Sequence, residues 1–463
     1  MNFNDAPGAQ PRGTLLQAAD GDLYGTTSKR GTVYRITPNG TLTTLYLFCS
    51  HADCVDGDYP TAGLVQVTNG DFYGTTMFGG AQSTPATASG PGTIFKITPG
   101  GTFTTLYSFC SQAECADGYY PGTRLVQAAD GDLYGTTQAG FYGAYRSGGT
   151  IFKITPSGTL TTLYSFCPQT HPTNCLEYSP SELAPASDGD LYGTTDGTDG
   201  TVFKITPAGT LTTLYRFCSQ ANCVDGADPL GGILQAANGA FYGTTSGGGA
   251  NDGPYPGGAG TVFKITPGGK LTTLYSFCAE ISPTGSCADG AFPQTGLVQG
   301  NDGNFYGTTS FSGVNGGGTL FKISPDGALT TLTTLYSFCG LPPTCDGTVS
   351  PSGLVQDTNG DFYGTTMAGG ESNDGALFRL SVGLRPFVKT WPPFGILGAA
   401  VGILGTDLSG ATSVSFNGTT AVFTVVSGCH ITATVPAGAS TGTVKVVTPG
   451  GTLSSNAPFR VLP

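Results

Sequence analysis

Residues 63–110 read GLVQVTNGDFYGTTMFGGAQSTPATASGPGTIFKITPGGTFTTLYSFC. Four segments rich in β-branched and aromatic residues (GLVQV, DFYGTT, GTIFKITP and TFTTLYSFC) are separated by Asn69-Gly70, by a Gly-rich loop and by Gly100-Gly101. Runs of this kind bounded by Gly and Asn are strands. An Asn-Gly pair between two of them signals a hairpin, because a type I′ turn needs two residues at positive φ. The stretch therefore encodes four antiparallel strands, first to fourth. Its YGTT core occurs seven times, with the tyrosine at Tyr24, Tyr73, Tyr134, Tyr192, Tyr242, Tyr306 and Tyr363.

Four-stranded units repeated radially make a β-propeller, whose ring leaves only short sheet edges. The first three segments occur seven times. The fourth occurs six times, ending at Tyr46, Tyr107, Tyr164, Tyr215, Tyr275 and Tyr336. The opening MNFNDAPGAQP aligns with the end of a fourth strand, Asn2-Phe3 lying over Ser108-Phe109. The N-terminal strand is thus expected to close the last blade. Only about three residues of that strand are present, so the true N-terminus is expected upstream.

Composition agrees with this fold class. Charged residues make up 10% of the 463, against roughly 25% in an ordinary soluble protein. The 75 glycines and 31 prolines approach low complexity, yet 11% aromatic and 38% apolar residues supply core material that disordered chains lack. A net charge of −12 disfavours nucleic acid and anionic membrane as partners. The longest apolar run, 394–405, is too short and too broken by glycine to span a bilayer. The expectation is an all-β chain: a seven-bladed β-propeller over residues 1–381, a linker at 382–392, and an Ig-like β-sandwich at 393–463, where alternating strands continue without the repeat.

The repeat unit resembles the GloVer tandem repeat of secreted and surface-anchored bacterial proteins. The tail resembles an IPT/TIG domain through GTDL at 405–408, VSFNGT, ITATVPAG and VTPGG. More distantly, the DG-aromatic hairpin followed by an I-x-P-x-G turn is similar to the blades of virginiamycin B lyase-like propellers. These resemblances imply a bacterial extracellular protein and no particular reaction.

Twelve of the 13 cysteines form six local pairs, each between a fourth strand and the next first strand: Cys49/Cys54, Cys110/Cys115, Cys167/Cys175, Cys218/Cys223, Cys278/Cys287 and Cys339/Cys345. Zinc sites need four close ligands, commonly from C-x₂-C pairs or histidines. The gaps here are wider, and the chain has only three histidines. Disulfides follow, and with them an oxidising compartment, although no signal peptide opens the sequence. Cys429 is left over as a free thiol.

Strands alternate direction, so the tight first-to-second and third-to-fourth turns share one end of every blade. All length variation falls at the other end, where binding residues are expected. Acidic residues follow each second cysteine there: Asp56, Asp117, Glu177, Asp225, Asp289 and Asp346. Either they make Asp-Gly turns, or they ring the channel mouth and hold Ca²⁺ or a cationic ligand. Loop aromatics, among them Tyr59, Tyr119, Tyr120, Tyr178 and Phe292, are candidate ligand platforms, with packing against the blade as the alternative. His51 and His171 lie inside cysteine loops without a fixed acidic partner. The recurrent third-strand cation (Arg35, Lys96, Lys153, Lys204, Lys264, Lys322, Arg379) and the YGTT threonines suit structural roles, because seven copies suit blade packing better than one active site. The expected function is a monomeric extracellular module binding glycan or surface protein. The alternative is a secreted propeller enzyme, a lyase or glycan-degrading, with its site in the channel mouth.

Overall fold

The structure, a computed structural model, describes residues 3, 8–81, 90–139, 148–166, 179–197, 199–325, 332–340, 345, 347 and 352–462. The chain is all-β, and the quoted stretch folds as read. Val65–Gln66, Phe72–Thr76, Thr93–Ile97 and Phe103–Ser108 form one antiparallel sheet in chain order, with Tyr73 opposite Lys96 and Gly74 opposite Phe95. Four other repeats give the same four-stranded order, the first adds Ala9–Pro11 as a fifth strand paired with Leu23–Lys29, and the seventh gives three strands, Val355–Gln356, Phe362–Thr366 and Ala376–Leu380. A β-bulge between Ile94 and Phe95 recurs at the matching place in each fourth-strand pairing and increases the local twist.

The YGTT residues serve packing. Tyr24 stacks on Phe72 of the next sheet at 4.3 Å between ring centroids, and Tyr192, Tyr242 and Tyr306 do the same at 4.0–4.2 Å. The glycine must be glycine, since a Cβ on Gly74 would lie 2.5 Å from the Phe95 ring that crosses it. The first threonine ties sheets to their neighbours, as in Thr26 Oγ1 to Ala62 O (2.8 Å) and Thr194 Oγ1 to Pro229 O (2.8 Å). The second bonds the first threonine of its own third strand, Thr76 Oγ1 to Thr93 Oγ1 at 2.8 Å. The third-strand cations pair with acids of their own first hairpin, among them Lys153–Asp132 (3.0 Å), Lys322–Asp302 (2.8 Å) and Arg379–Asp361 (2.6 Å). Lys264, whose hairpin carries Ala240 at that place, lies 5.7 Å above the Tyr242 ring instead.

The glutamine of the first strand is a further staple. Gln66 Oε1 accepts the N–H of Ala19 in the preceding sheet (2.9 Å), and Gln235, Gln299 and Gln356 repeat the bond. Gln17 of the first sheet accepts from Thr358 of the seventh (3.2 Å). At the fourth repeat this position is Pro185, which can accept no such bond through its side chain.

Phe3 lies beside the seventh sheet. Its N–H donates to Gly375 O at 3.0 Å, the bond that Phe109 makes to Gly92 and Phe277 to Gly260. Its ring meets Tyr34 of the first sheet at 5.3 Å and packs beside Leu377 of the seventh. Met1 and Asn2 lie outside the described residues.

Beyond the repeats, two four-stranded sheets share a core containing Val401, Ile403, Val414, Phe416, Ile431, Val444 and Phe459. Here the expected linker needs correcting. Val388 is buried in that core, and Lys389–Trp391 is an edge strand on Ala400–Leu404, so the second unit begins before residue 393. Apolar burial of Val388 overrides the Pro-rich, loop-like look of the stretch. This unit sits on the tight-turn end of the repeats. Trp391 Nε1 donates to Gln66 O (3.0 Å), Lys389 Nζ reaches Gln17 Oε1 (3.3 Å) and Gln356 O, and Cys429 Sγ lies 3.2 Å from Asp20 O.

Candidate functional site

Five of the six cysteine pairs are disulfides in the described residues, Cys49–Cys54, Cys110–Cys115, Cys218–Cys223, Cys278–Cys287 and Cys339–Cys345. Cys167 and Cys175 lie outside them, as do His171, Glu177, Tyr178 and Asp346. Cys429 is the free thiol, half-buried at the join of the two units.

Of the six acidic residues, the four among the described residues take the alternative of bonding within their own loops. Asp117 Oδ2 accepts from Tyr107 Oη (2.8 Å), Ser111 N (3.0 Å) and Ser111 Oγ (3.1 Å). Asp225 repeats this set with Tyr215 and Ser219, and Asp56 with Tyr46 and Ser50. Asp289 accepts from Tyr275 Oη (2.8 Å) and Ala279 N (3.0 Å). Each carboxylate thus turns one oxygen toward the fourth strand, at the sheet edge farthest from the first strand, and bonds its own disulfide loop, while Oδ1 of Asp56 and of Asp289 is buried without a partner among the described residues. A buried carboxylate must find donors, and the tyrosine ten to fourteen residues back supplies one. Burial, with the neighbouring aspartate, pushes Tyr46 and Tyr107 up to about 12. His51 joins this loop, Nδ1 lying 3.6 Å from Asp56 Oδ2. Among the described residues only Asp199, Cys218 and Cys223 cluster closely enough for an ion. The two sulfurs are already bonded to each other, so that cluster offers no thiolate.

The loop aromatics fall into two arcs. Tyr59, Phe78, Tyr120 and Tyr119 form a chain of ring contacts at 4.7–5.4 Å across the first three repeats. Tyr255, Phe292 and Phe311 form a second at 4.7–5.9 Å in the fifth and sixth. All are half-buried or exposed. Tyr59, Tyr120 and Phe292 occupy one repeat position, immediately before a proline, with φ of 58°, 59° and 56°. Left-handed backbone is costly for such bulky residues. It is held by main-chain bonds on both sides: Tyr120 N to Pro91 O and Gln138 N to Tyr120 O, Phe292 N to Ala259 O and Ser310 N to Phe292 O. The same position carries Gln10 and Asp228 elsewhere, at 59° and 53°. A fixed backbone therefore presents a side chain that differs from repeat to repeat.

Just beyond the prolines the chain enters a cavity of about 280 Å³ lined by residues from all seven repeats. The position preceding each first strand faces it: Thr14, Gly63, Arg124, Glu182, Gly232, Gly296 and Gly353. Neighbouring segments touch here, so a Cβ on Gly63 would lie 2.4 Å from Thr14 O. The two large residues are adjacent and paired, Glu182 Oε1 accepting from Arg124 Nε (2.9 Å) and Nη2 (2.5 Å). Arg12 and Asp196 complete the charged lining. Asp196 accepts from Ser179 N at 2.6 Å, yet burial raises its carboxyl above the usual range. Motif reading missed Arg124 and Glu182. The signal available was their departure from glycine in an otherwise monotonous repeat.

The sequence matches the profile of the Gloeobacter/Verrucomicrobia repeat over residues 1–140, 31–223 and 196–421. The chain belongs to that repeat family. Among curated proteins none matches the sequence. The Gloeobacter/Verrucomicrobia repeats are similar in fold to a catalytically inactive variant of virginiamycin B lyase from Staphylococcus aureus, solved with quinupristin. That likeness has a TM-score of 0.54 and 16% identity over 82% of this chain and 98% of the lyase. A streptogramin B lyase structure gives 0.51 and 17% over 81% and 96%. At such identity the likeness is one of fold, and the fold is propeller-like. No helix among the described residues is long and apolar enough to cross a membrane.

Proposed function

We propose that the repeats close into a seven-bladed propeller carrying an Ig-like sandwich of IPT/TIG type, and that the protein is an extracellular module binding glycan or surface protein through its loop face. Closure is supported by three bonds joining the seventh repeat to the first: Phe3 N to Gly375 O, Thr358 N to Gln17 Oε1 and Thr365 Oγ1 to Pro11 O. Extracellular residence is supported by the five disulfides, which persist only in oxidising compartments. The observation that carries the binding role is a cavity with Arg12, Arg124, Glu182 and Asp196 in its lining, with Tyr59 and Tyr120, on left-handed backbone, two residues before the lining residues Thr61 and Gly122. Concave sites with a few convergent polar groups are the usual form of a binding site.

The test is a panel of soluble polysaccharides and surface-protein extracts offered to the purified protein, read by calorimetry. The expected result is binding that weakens about tenfold in Tyr59→Ala/Tyr120→Ala, the order of one lost stacking contact. Equal affinity in that variant would refute the loop-face assignment. The alternative, an enzyme, is favoured by Asp196, a carboxyl with raised proton affinity in the cavity wall. Product formation from the same panel, abolished in Asp196→Asn, would establish it.

A further inference from the structure

The axial cavity contains one asymmetry that the repeat architecture does not require. Five of the seven residues facing it are glycine or threonine, and the remaining two are Arg124 and Glu182. In a chain with 10% charged residues, a half-exposed ion pair at the axis is conspicuous (34% and 31% side-chain exposure). Its geometry is lopsided. Arg124 Nε and Nη2 both donate to the same oxygen, Glu182 Oε1. Among the described residues Glu182 Oε2 and Arg124 Nη1 have no partner. One strong acceptor oxygen and one donor nitrogen of the pair are therefore left to bond other groups.

We infer that Arg124 and Glu182 recognise adjacent hydroxyls at the end of a neutral glycan chain entering the axial cavity; this rests on the binding role proposed above. Each hydroxyl of a vicinal diol both donates and accepts, so one can donate to Glu182 Oε2 while another accepts from Arg124, and charge-assisted bonds are the stronger ones. Neutrality follows from balance. The charged lining is Arg12 and Arg124 against Glu182 and Asp196, while the whole chain carries −12, which repels polyanions. A chain end, rather than a mid-chain segment, follows from access. The cavity opens on the loop face, whereas Lys389 and Trp391 of the second unit cover the first-strand glutamines at the other end. A volume of about 280 Å³ is at the small limit of ligand pockets, room for about one or two sugar rings. Tyr59 and Tyr120 stand two residues outward from Thr61 and Gly122 of the lining, placed for the next rings of the chain.

The competing account is a staple. The pair joins the third and fourth repeats, the junction where Pro185 replaces the bridging glutamine. The experiment separates the two. Laminarin, dextran and xylan oligosaccharides are titrated against wild type, Glu182→Gln and Arg124→Glu/Glu182→Arg, with polygalacturonate as the acidic probe and melting temperature recorded for each. The charge swap preserves the inter-repeat ion pair but exchanges donor and acceptor. The expected result is binding of a neutral oligosaccharide, weakened about tenfold or more in both variants, with melting within about 2 °C of wild type. A swap variant that binds like wild type, or variants that lose stability without losing affinity, would show a staple and overturn the inference. Binding of polygalacturonate alone would overturn it while leaving the glycan-binding role intact. If neither class binds, both the role and the inference fall.

Discussion

Replacing Phe3 by alanine tests whether the N-terminal residues complete the last sheet. Phe3 is 3% exposed, and its ring meets Tyr34 at 5.3 Å and 64°. The mid-chain counterpart Phe109 is fully buried and meets Phe152 at 5.3 Å and 63°. Both donate a main-chain bond of 3.0 Å, to Gly375 and Gly92 respectively. Truncating a buried phenylalanine costs about 3–5 kcal/mol. With a melting entropy of about 2.1 cal/mol/K per residue over roughly 380 residues, this lowers the melting temperature by about 4–6 °C. Phe3→Ala and Phe109→Ala are therefore expected to melt within about 2 °C of each other and well below wild type, by calorimetry on oxidised protein. Amide exchange along Ala376–Leu380 is expected to accelerate only in Phe3→Ala, because that strand would become an open edge. A Phe3→Ala protein as stable as wild type, beside a strongly destabilised Phe109→Ala, would refute the closure.

The remaining predictions concern the loops and the second unit. Asp225→Ala removes the acceptor shared by Tyr215 Oη, Ser219 N and Ser219 Oγ, and denaturation should show a loss of about 1–3 kcal/mol. Since Oδ2 of Asp56, Asp117, Asp225 and Asp289 is held by donors of its own loop, EDTA is expected to leave the melting temperature unchanged, and a rise of several degrees with millimolar Ca²⁺ would contradict the loop assignment. Part of Lys389 reaches solvent, but its packed ammonium is drawn down to about 8 by burial. Between that value and 10.5 the unfolded chain holds the proton more tightly, so the contribution of Lys389 to stability grows with pH across this window. Half-buried tyrosines such as Tyr46 and Tyr107, raised from 10.0, pull the other way above about pH 9. The measurement is therefore the difference between wild type and Lys389→Met, which should widen in favour of wild type as pH rises. Thiol titration of the denatured, unreduced protein should find about one thiol, Cys429.

The acidic residues show where sequence reasoning stops. Asp56, Asp117, Asp225 and Asp289 sit a few residues before the first strand, and proximity along the chain suggested the channel. Their side chains answer instead to Tyr46, Tyr107, Tyr215 and Tyr275, ten to fourteen residues back, because a buried carboxylate goes to whichever donors surround it. Tyr59, Tyr120 and Phe292 were legible as loop aromatics. Their shared left-handed backbone was not, since a residue before proline ordinarily avoids the helical regions.

By itself the sequence determined the recurrent strands of the repeats, their order and five of the cysteine pairs. All three depend on short-range signals: alternation, Asn-Gly turns and a repeat that states each rule several times. Even the fit of Phe3 to the last sheet could be read from the likeness of Asn2-Phe3 to Ser108-Phe109. Only the tertiary structure decided that Arg124 and Glu182, 58 residues apart, face one axis, and that Lys389 and Trp391 lie across its far end. Those relations arise because the sheets pack around a common centre, which brings one position of every repeat together whatever its distance along the chain. No local pattern encodes that convergence.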